Sequence, residues 1–288
     1  MKGSAVSKRV LILIGQVVYS FILILLISGI PVLFQGLKLN IGAYTAFVQE
    51  MGMKVLFFNN ETFWERSPIF PQILERSGDT FTLLILALVI SLAVSILFAS
   101  AAVLFLKKRM NWIKRMILAA EAIPDIFIIT VLQALVIFIY KQTDVLIVKV
   151  ASLGDEKSYV LPLICLGIPA SVYLVKILIK TIEEEEEKAY AELAKAIGTS
   201  PVRILIFHIS RNAFHKIMIN SKTLVWSLLA SMLIIEYVFN YPGMLSFLLT
   251  YRSPEVFLMA VTILFLPFFV VYQSYFLFAP DLIKGEKG

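Results

Sequence analysis

Cysteine occurs once in this chain, at Cys165, and histidine twice, at His208 and His215. A single thiol excludes an intrachain disulfide and a cysteine-based metal cluster, and its place inside an apolar run fits a small packing residue. The two imidazoles lack cysteine or carboxylate companions at ligand spacing, so they make a poor metal site. Also missing are a G-x-x-x-x-G-K-[ST] phosphate loop, an H-E-x-x-H pair and a G-x-S-x-G elbow. ATP hydrolysis by a P-loop and the protease chemistries of those two motifs are therefore not expected. Charged residues make up only 16% of the 288 positions, well short of what a soluble surface of this size carries.

What the chain has instead is apolar sequence: 59% hydrophobic residues and a mean hydropathy of +0.88. A bilayer core about 30 Å thick needs roughly 20 apolar residues per helical span. Six runs reach that length: 10–35, 80–106, 116–140, 159–179, 217–239 and 256–279. They are continuously apolar and rich in Leu and Ile, whereas a barrel would show short segments of alternating polarity. The expected fold is an all-α polytopic membrane protein with about six transmembrane helices. The first run is long for a signal-peptide core and no A-x-A-like site closes it, so it is read as a retained span. Lys and Arg gather at 2–9, 107–115, 176–216 and 284–287 and are sparser in the alternate segments. That bias predicts cytoplasmic N- and C-termini in a cell membrane. It also accounts for the net charge of +6, leaving no reason to invoke nucleic acid; membrane lipid is the expected surrounding.

Two regions follow: 1–79, a span with an external interfacial segment, and 80–288, a transmembrane domain. Residues 36–79 mix aromatic and charged residues, as in Phe63-Trp64-Glu65-Arg66, which suits short interfacial helices with Trp64 at the headgroup boundary. The fourth run carries Pro162 and Pro169 and the sixth Pro267, each able to kink a helix. Between Thr181 and Lys216 lies a polar, Gly- and Pro-punctuated island. Its acidic block Glu183 to Glu187 is expected to start a solvated helix, where negative charge meets the positive end of the helix dipole. Gly198 would end that helix in the left-handed conformation. Thr199 or Ser200 would cap a second one, with Pro201 in its first turn. The pattern predicts a helix, a sharp turn and another helix beneath the membrane, with its coupling loop at about 181–216.

The spacing Glu192-x-Ala194-x-x-x-Gly198 resembles the E-A-A-x-x-x-G motif of inner-membrane permease subunits in binding-protein-dependent ATP-binding cassette (ABC) importers. The run Ser200-Pro201-x-Arg203-Ile-Leu-x-x-His208-x-x-Arg211-Asn212-Ala213 narrows the resemblance to the dipeptide, oligopeptide and nickel permease family. Downstream, Glu236-x-Val238-Phe239-x-x-Pro242-Gly243-Met244 is similar to that family's E-x-V-F-x-x-P-G-L segment, and Lys176 stands where the family often has a basic residue. The resemblance covers roughly 159–280, while 80–140 fits in hydropathy only. Three departures are visible. Ser28-Gly29-Ile30-Pro31 and Gln35-Gly36-Leu37-Lys38 replace a P-G-D-P-like element, His215 or Lys216 replaces the proline usual after Arg211-Asn212-Ala213, and Asp125 follows Ile123-Pro124 where an uncharged residue is commoner.

The resemblance implies a type I importer-like fold with two short cytoplasmic coupling helices in a bacterial or archaeal membrane. It implies as partners two ABC ATPase subunits, a second, homologous permease subunit and an extracytoplasmic substrate-binding protein. This chain would bind no cofactor, with ATP and Mg held by the ATPases. Glu192, Ala194, Gly198, Ser200, Pro201, Arg203, His208, Arg211 and Asn212 would form the ATPase-coupling element, acting as a stiff lever. Peptides are the expected cargo and nickel or a metal chelate the alternative.

Ionisable residues within spans are costly and so are functional candidates. Glu121 and Asp125, four apart, are expected on one face of the third span, lining the path or paired with a lysine such as Lys222. Glu236 is expected to brace the Pro242-Gly243 turn at an external gate. A proton-coupled secondary transporter using Asp125, Glu121 and Glu236 as a relay is the competing class. It leaves the island without a purpose, and no inverted repeat is evident.

Overall fold

In a computed structural model of the chain, residues 2–35, 38–56, 69–154 and 156–278 are described. In chain order the elements begin with α1 (Lys2–Ser28), α2 (Ile30–Leu33), a small antiparallel pair β1 (Phe34–Gln35) and β2 (Lys38–Leu39), α3 (Ile41–Leu56) and α4 (Ile69–Phe105). A 3₁₀ turn (Lys107–Arg109) leads to α5 (Met110–Glu121), α6 (Asp125–Thr143), α7 (Val160–Glu186) and α8 (Ala189–Ala196). Next come α9 (Pro201–Arg203), a π-helical stretch (Ile204–Ile209), α10 (Ser210–Val238), α11 (Met244–Thr250) and α12 (Pro254–Phe278). Six of these helices are long and apolar enough to cross a membrane, at Lys8–Leu33, Pro71–Phe105, Asp125–Thr143, Val160–Glu186, Asn212–Val238 and Pro254–Leu277. The protein is an all-α polytopic membrane protein, as its hydropathy predicts.

The helices fall into two compact units. The first joins residues 1–79 to 243–288 and the second is Thr80–Pro242. In the first, Ile24 and Leu25 of α1, Phe47 and Met51 of α3 and Leu258 of α12 form a buried cluster. Gly29 makes this possible, because a Cβ there would lie 2.9 Å from the Tyr44 ring. Asn40 caps α3 through its side-chain oxygen, which accepts from the Ala43 amide at 3.0 Å. Residues 41–56 thus form one helix packed in this unit, longer than the short interfacial helices expected there. Trp64 and its neighbours lie outside the described residues.

In the second unit the seam between α4 and α7 is built from small residues. Ala87, Ser91, Ser95 and Ala99 recur every four positions on α4 and are fully buried. Their lack of bulk lets the helix backbones approach, which is how helices associate where no hydrophobic drive separates lipid from protein. Each hydroxyl donates at 2.5 Å within its own helix, Ser91 Oγ to Ala87 and Ser95 Oγ to Ser91, and makes a second, longer contact across the seam, 3.2 Å to the Gly167 carbonyl and 3.0 Å to the Ser171 carbonyl. These carbonyls flank Pro169, inside α7, whose missing N–H opens the helix ladder at that level.

Two expectations about element boundaries are corrected. The third span is not a single helix over 116–140. It breaks at Ala122–Pro124, because Pro124 (φ −63°, ψ 142°) cannot continue the ladder and holds the residue before it away from helical geometry. Glu121 therefore ends α5 and Asp125 opens α6, so the two are not on one helical face. The acidic block likewise does not start a helix: Glu183–Glu186 are the last residues of α7. Glutamate propagates a helix well, and the unfavourable dipole end is offset by lysines from several elements. Glu183 pairs with Lys114 at 2.6 Å, Glu184 with Lys216, and Glu186 with Lys107 at 2.8 Å.

The C-terminal end of α10 is closed by a Schellman motif. Asn240 takes φ +47°, the Tyr241 amide donates to the Glu236 carbonyl at 2.8 Å, and the Asn240 amide to Tyr237 at 3.3 Å. The Asn240 side chain donates to the Ser152 carbonyl at 3.1 Å, and the Ser152 amide returns a bond to Phe239 at 2.8 Å. This pair clamps the α6–α7 loop onto the end of α10. Asn240→Ala should cost about 2 kcal/mol, from left-handed strain plus the lost hydrogen bond, and Asn240→Gly only about 1 kcal/mol. Thermal unfolding in detergent would check the order, and a glycine variant no more stable than the alanine one would contradict it.

Candidate functional site

The polar island folds as a helix–turn–helix whose first arm is α8. Its turn is a second Schellman motif: the Gly198 amide donates to Lys195 and the Thr199 amide to Ala194, both at 3.0 Å. Gly198 sits at φ +81°, and an added Cβ would meet nothing within 4 Å. Glycine is required here for its backbone conformation, since among the described residues the space a side chain would enter is open. Ser200 occupies the N-cap position, extended at ψ 146°, without a side-chain capping bond, and Pro201 follows at the first helical position. The second arm differs from the expected separate helix. It passes from α9 through the π-helical stretch into α10 without a break, so the turn is joined directly to a spanning helix. Single π-helical turns are often found at functional sites.

The arm α8 is pinned by its small residues. Ala191 and Ala194 are buried in a core with Ala102 and Val103 of α4, Ile113 and Ile117 of α5, Ile179 and Ile182 of α7, and Ile204 and Ile209 of the π-helical stretch. Ala194 therefore faces this chain's own core. Glu192, Leu193, Ile197, Val202, Arg203, Ile206 and Phe207 are exposed. The side chains of His208 and Arg211 lie outside what the structure describes.

Asn212 meets Glu185, the one residue of the acidic block that is buried, with its side chain 1% exposed. The Glu185 carboxylate accepts from Tyr190 Oη at 2.6 Å, Asn212 Nδ2 at 2.7 Å and Lys188 Nζ at 2.8 Å, with the Lys216 ammonium 3.7 Å away. Burial, and then the bond to Glu185 and its charge, push the Tyr190 hydroxyl up to about 12, so it remains a donor at any physiological pH. Sequence reasoning missed this cluster, since five consecutive glutamates read as a solvated face. Only the apolar residues Ile179 and Ile182, six and three positions before Glu185, put that position on the core side.

The three carboxylates expected within spans have separate partners, and Glu121 lies before the third span, which opens at Asp125. Glu121 pairs with Lys176 of α7 at 2.6 Å, a lysine partner other than the expected Lys222. Asp125 accepts a hydrogen bond from Ser231 Oγ of α10. Both line a cavity of about 290 Å³ whose polar wall also includes Tyr173, Thr223 and Ser227. Glu236 is fully buried and accepts from Thr80 Oγ1 of α4 at 2.6 Å. Its backbone carbonyl closes the turn leading to Pro242, and Gly243 is the N-cap residue of α11.

Six apolar spans, with a braced helix–turn–helix between the fourth and fifth, define a multi-pass helical membrane protein. Residues 91–284 match the model of the family described as binding-protein-dependent transport system inner membrane component. The chain belongs to that family. It is similar to the dipeptide transport system permease protein DppB of Bacillus subtilis (strain 168), 30% identical over 137 residues. That alignment takes in 45% of this chain and 44% of the relative, so the chain spans less than half the length of the curated protein it matches.

Because the space beside Gly198 is open, Gly198→Ala should act through φ alone, costing about 1 kcal/mol. Hydrogen exchange at the Thr199 amide should then quicken by about five-fold, with global unfolding little changed. Unaltered exchange there would mean that the turn does not need the left-handed residue.

Proposed function

We propose that this chain is the permease subunit of an ATP-driven importer, forming half of a translocation pathway for di- or oligopeptides. It would work with a second, homologous permease subunit, two ABC ATPase subunits carrying ATP and Mg, and an extracytoplasmic substrate-binding protein. Both termini and the island would face the cytoplasm. The observation that carries the reading is the island itself. A turn locked by two Schellman bonds and a buried alanine face presents Leu193, Ile197, Val202, Ile206 and Phe207 outward, beside Glu192 and Arg203. An exposed apolar patch of this kind on a polar connection is characteristic of a docking surface. Glu192 and Arg203 would add charge complementarity at its rim.

The similarity to a dipeptide permease and the cavity at Asp125 support a peptide cargo. Among the described residues Asp125 forms no ion pair, its bond coming from a serine hydroxyl, so its charge suits the protonated amino group of a passing peptide. A proton relay through Glu121, Asp125 and Glu236 is less consistent with this geometry. Each carboxylate is held by a different residue, on α7, α10 and α4 respectively.

The test is reconstitution of the complex with its ATPase and binding-protein subunits. Leu193→Asp with Phe207→Asp should abolish ATPase co-purification while leaving thermal stability within about 1 kcal/mol, because both side chains are exposed. Dipeptides should stimulate hydrolysis and nickel should not. Full ATPase retention by the double variant would overturn the docking role, and stimulation by nickel alone would transfer the cargo to metal.

A further inference from the structure

The Glu185 cluster does more than neutralise a buried charge. Its donors come from both arms of the island: Lys188 and Tyr190 from the start of α8, Asn212 from the first turn of α10, with Lys216 one turn further along. One carboxylate at the end of α7 therefore closes the helix–turn–helix into a loop. Between the Gly198 turn and Asn212 lies the π-helical stretch Ile204–Ile209, the segment in which a helix can most readily rewind by one residue. A push on the turn can either change that winding or carry α10 along. Fixing Asn212 just beyond the stretch leaves the second outcome. Further along α10, Ser231 is bonded to Asp125 of α6 and Glu236 to Thr80 of α4, so the same helix is tied to two more spans.

We infer that Glu185 is a positioning residue, a latch that makes the island and α10 move as one body. Resting on the importer reading above, this assigns Glu185 to force transmission rather than to contact with ATPase or cargo. A well-packed apolar side chain could be as stabilising as a buried carboxylate. What the carboxylate adds is direction, since its bonds to Tyr190 and Asn212 fix the register of both arms at once.

The experiment uses the reconstituted complex with Glu185→Gln and Asn212→Asp, singly and together. Glu185→Gln should assemble and keep ATP hydrolysis within about twofold, while in both single variants peptide taken up per ATP falls by roughly tenfold, a coupling loss of ordinary size. The double variant exchanges amide and carboxylate across the same bond, with Lys188 and Lys216 still beside it, and should recover at least about half of the lost uptake. Unchanged uptake per ATP in the single variants would overturn the latch. So would parallel loss of assembly, hydrolysis and uptake without recovery in the double variant, which is what a purely structural role predicts. Hydrogen exchange of the full chain alone in lipid nanodiscs separates the latch from the importer reading. Exchange in α8 and the first turns of α10 should rise together in each single variant and fall again in the double. Independent exchange in those two segments would overturn the latch even where the complex transports peptide. A parent complex that binds no ATPase would overturn the importer reading and the transmission role together.

Discussion

A carboxylate taken out of water must be met by donors, and the island end of this protein is arranged around that requirement. Glu185 at the end of α7 collects a tyrosine, an asparagine and two lysines from the two helices that follow it. Losing one partner of such a group typically costs about 3–5 kcal/mol, so the positions of α8 and the start of α10 are not independent of α7. The neighbouring glutamates extend the same logic outward. Glu183, Glu184 and Glu186 reach Lys114, Lys216 and Lys107, tying α5, α10 and the 3₁₀ turn to one helix end. These outer pairs are partly exposed and individually worth little.

Within the spans a different constraint governs. Lipid offers no hydrophobic gain for bringing helices together, so contact depends on close fit and on polar bonds between helices. The α4–α7 seam uses both, with small residues every fourth position and two serine hydroxyls donating to the carbonyls beside Pro169. α10 is held by side-chain bonds at three levels, through Asn212, Ser231 and Glu236. Such a helix is suited to transmit displacement, because no level can shift without breaking a side-chain bond.

Much of this was legible in advance. The number of spans followed from run length, because a helix must satisfy every backbone group inside the bilayer. The Gly198 turn followed from the scarcity of residues that tolerate positive φ, and the family from Glu192, Ala194, Gly198 and the run to Asn212. The roles of individual residues were less accessible. Ala194, expected in the coupling element, is buried in the chain's own core, and Glu121 and Asp125 read as one helical face but belong to two helices. For the two carboxylates the periodicity held only for an unbroken helix, and Pro124 breaks it. The α4 seam of Ala87, Ser91, Ser95 and Ala99 carried a sequence signal that went unread, since small residues at spacing four are the pattern of close membrane packing.

By itself the sequence determined the all-helical membrane class, the span count, the glycine turn and the family, because each depends on local quantities: run length, backbone freedom and motif spacing. Tertiary structure alone decided which of five consecutive glutamates is buried, which lysine answers Glu121, and that the second arm of the island is continuous with α10. Those outcomes depend on which faces of distant segments meet. Electrostatic partners are chosen over 27 residues between Glu185 and Asn212 and over 156 between Thr80 and Glu236, separations that no local pattern encodes.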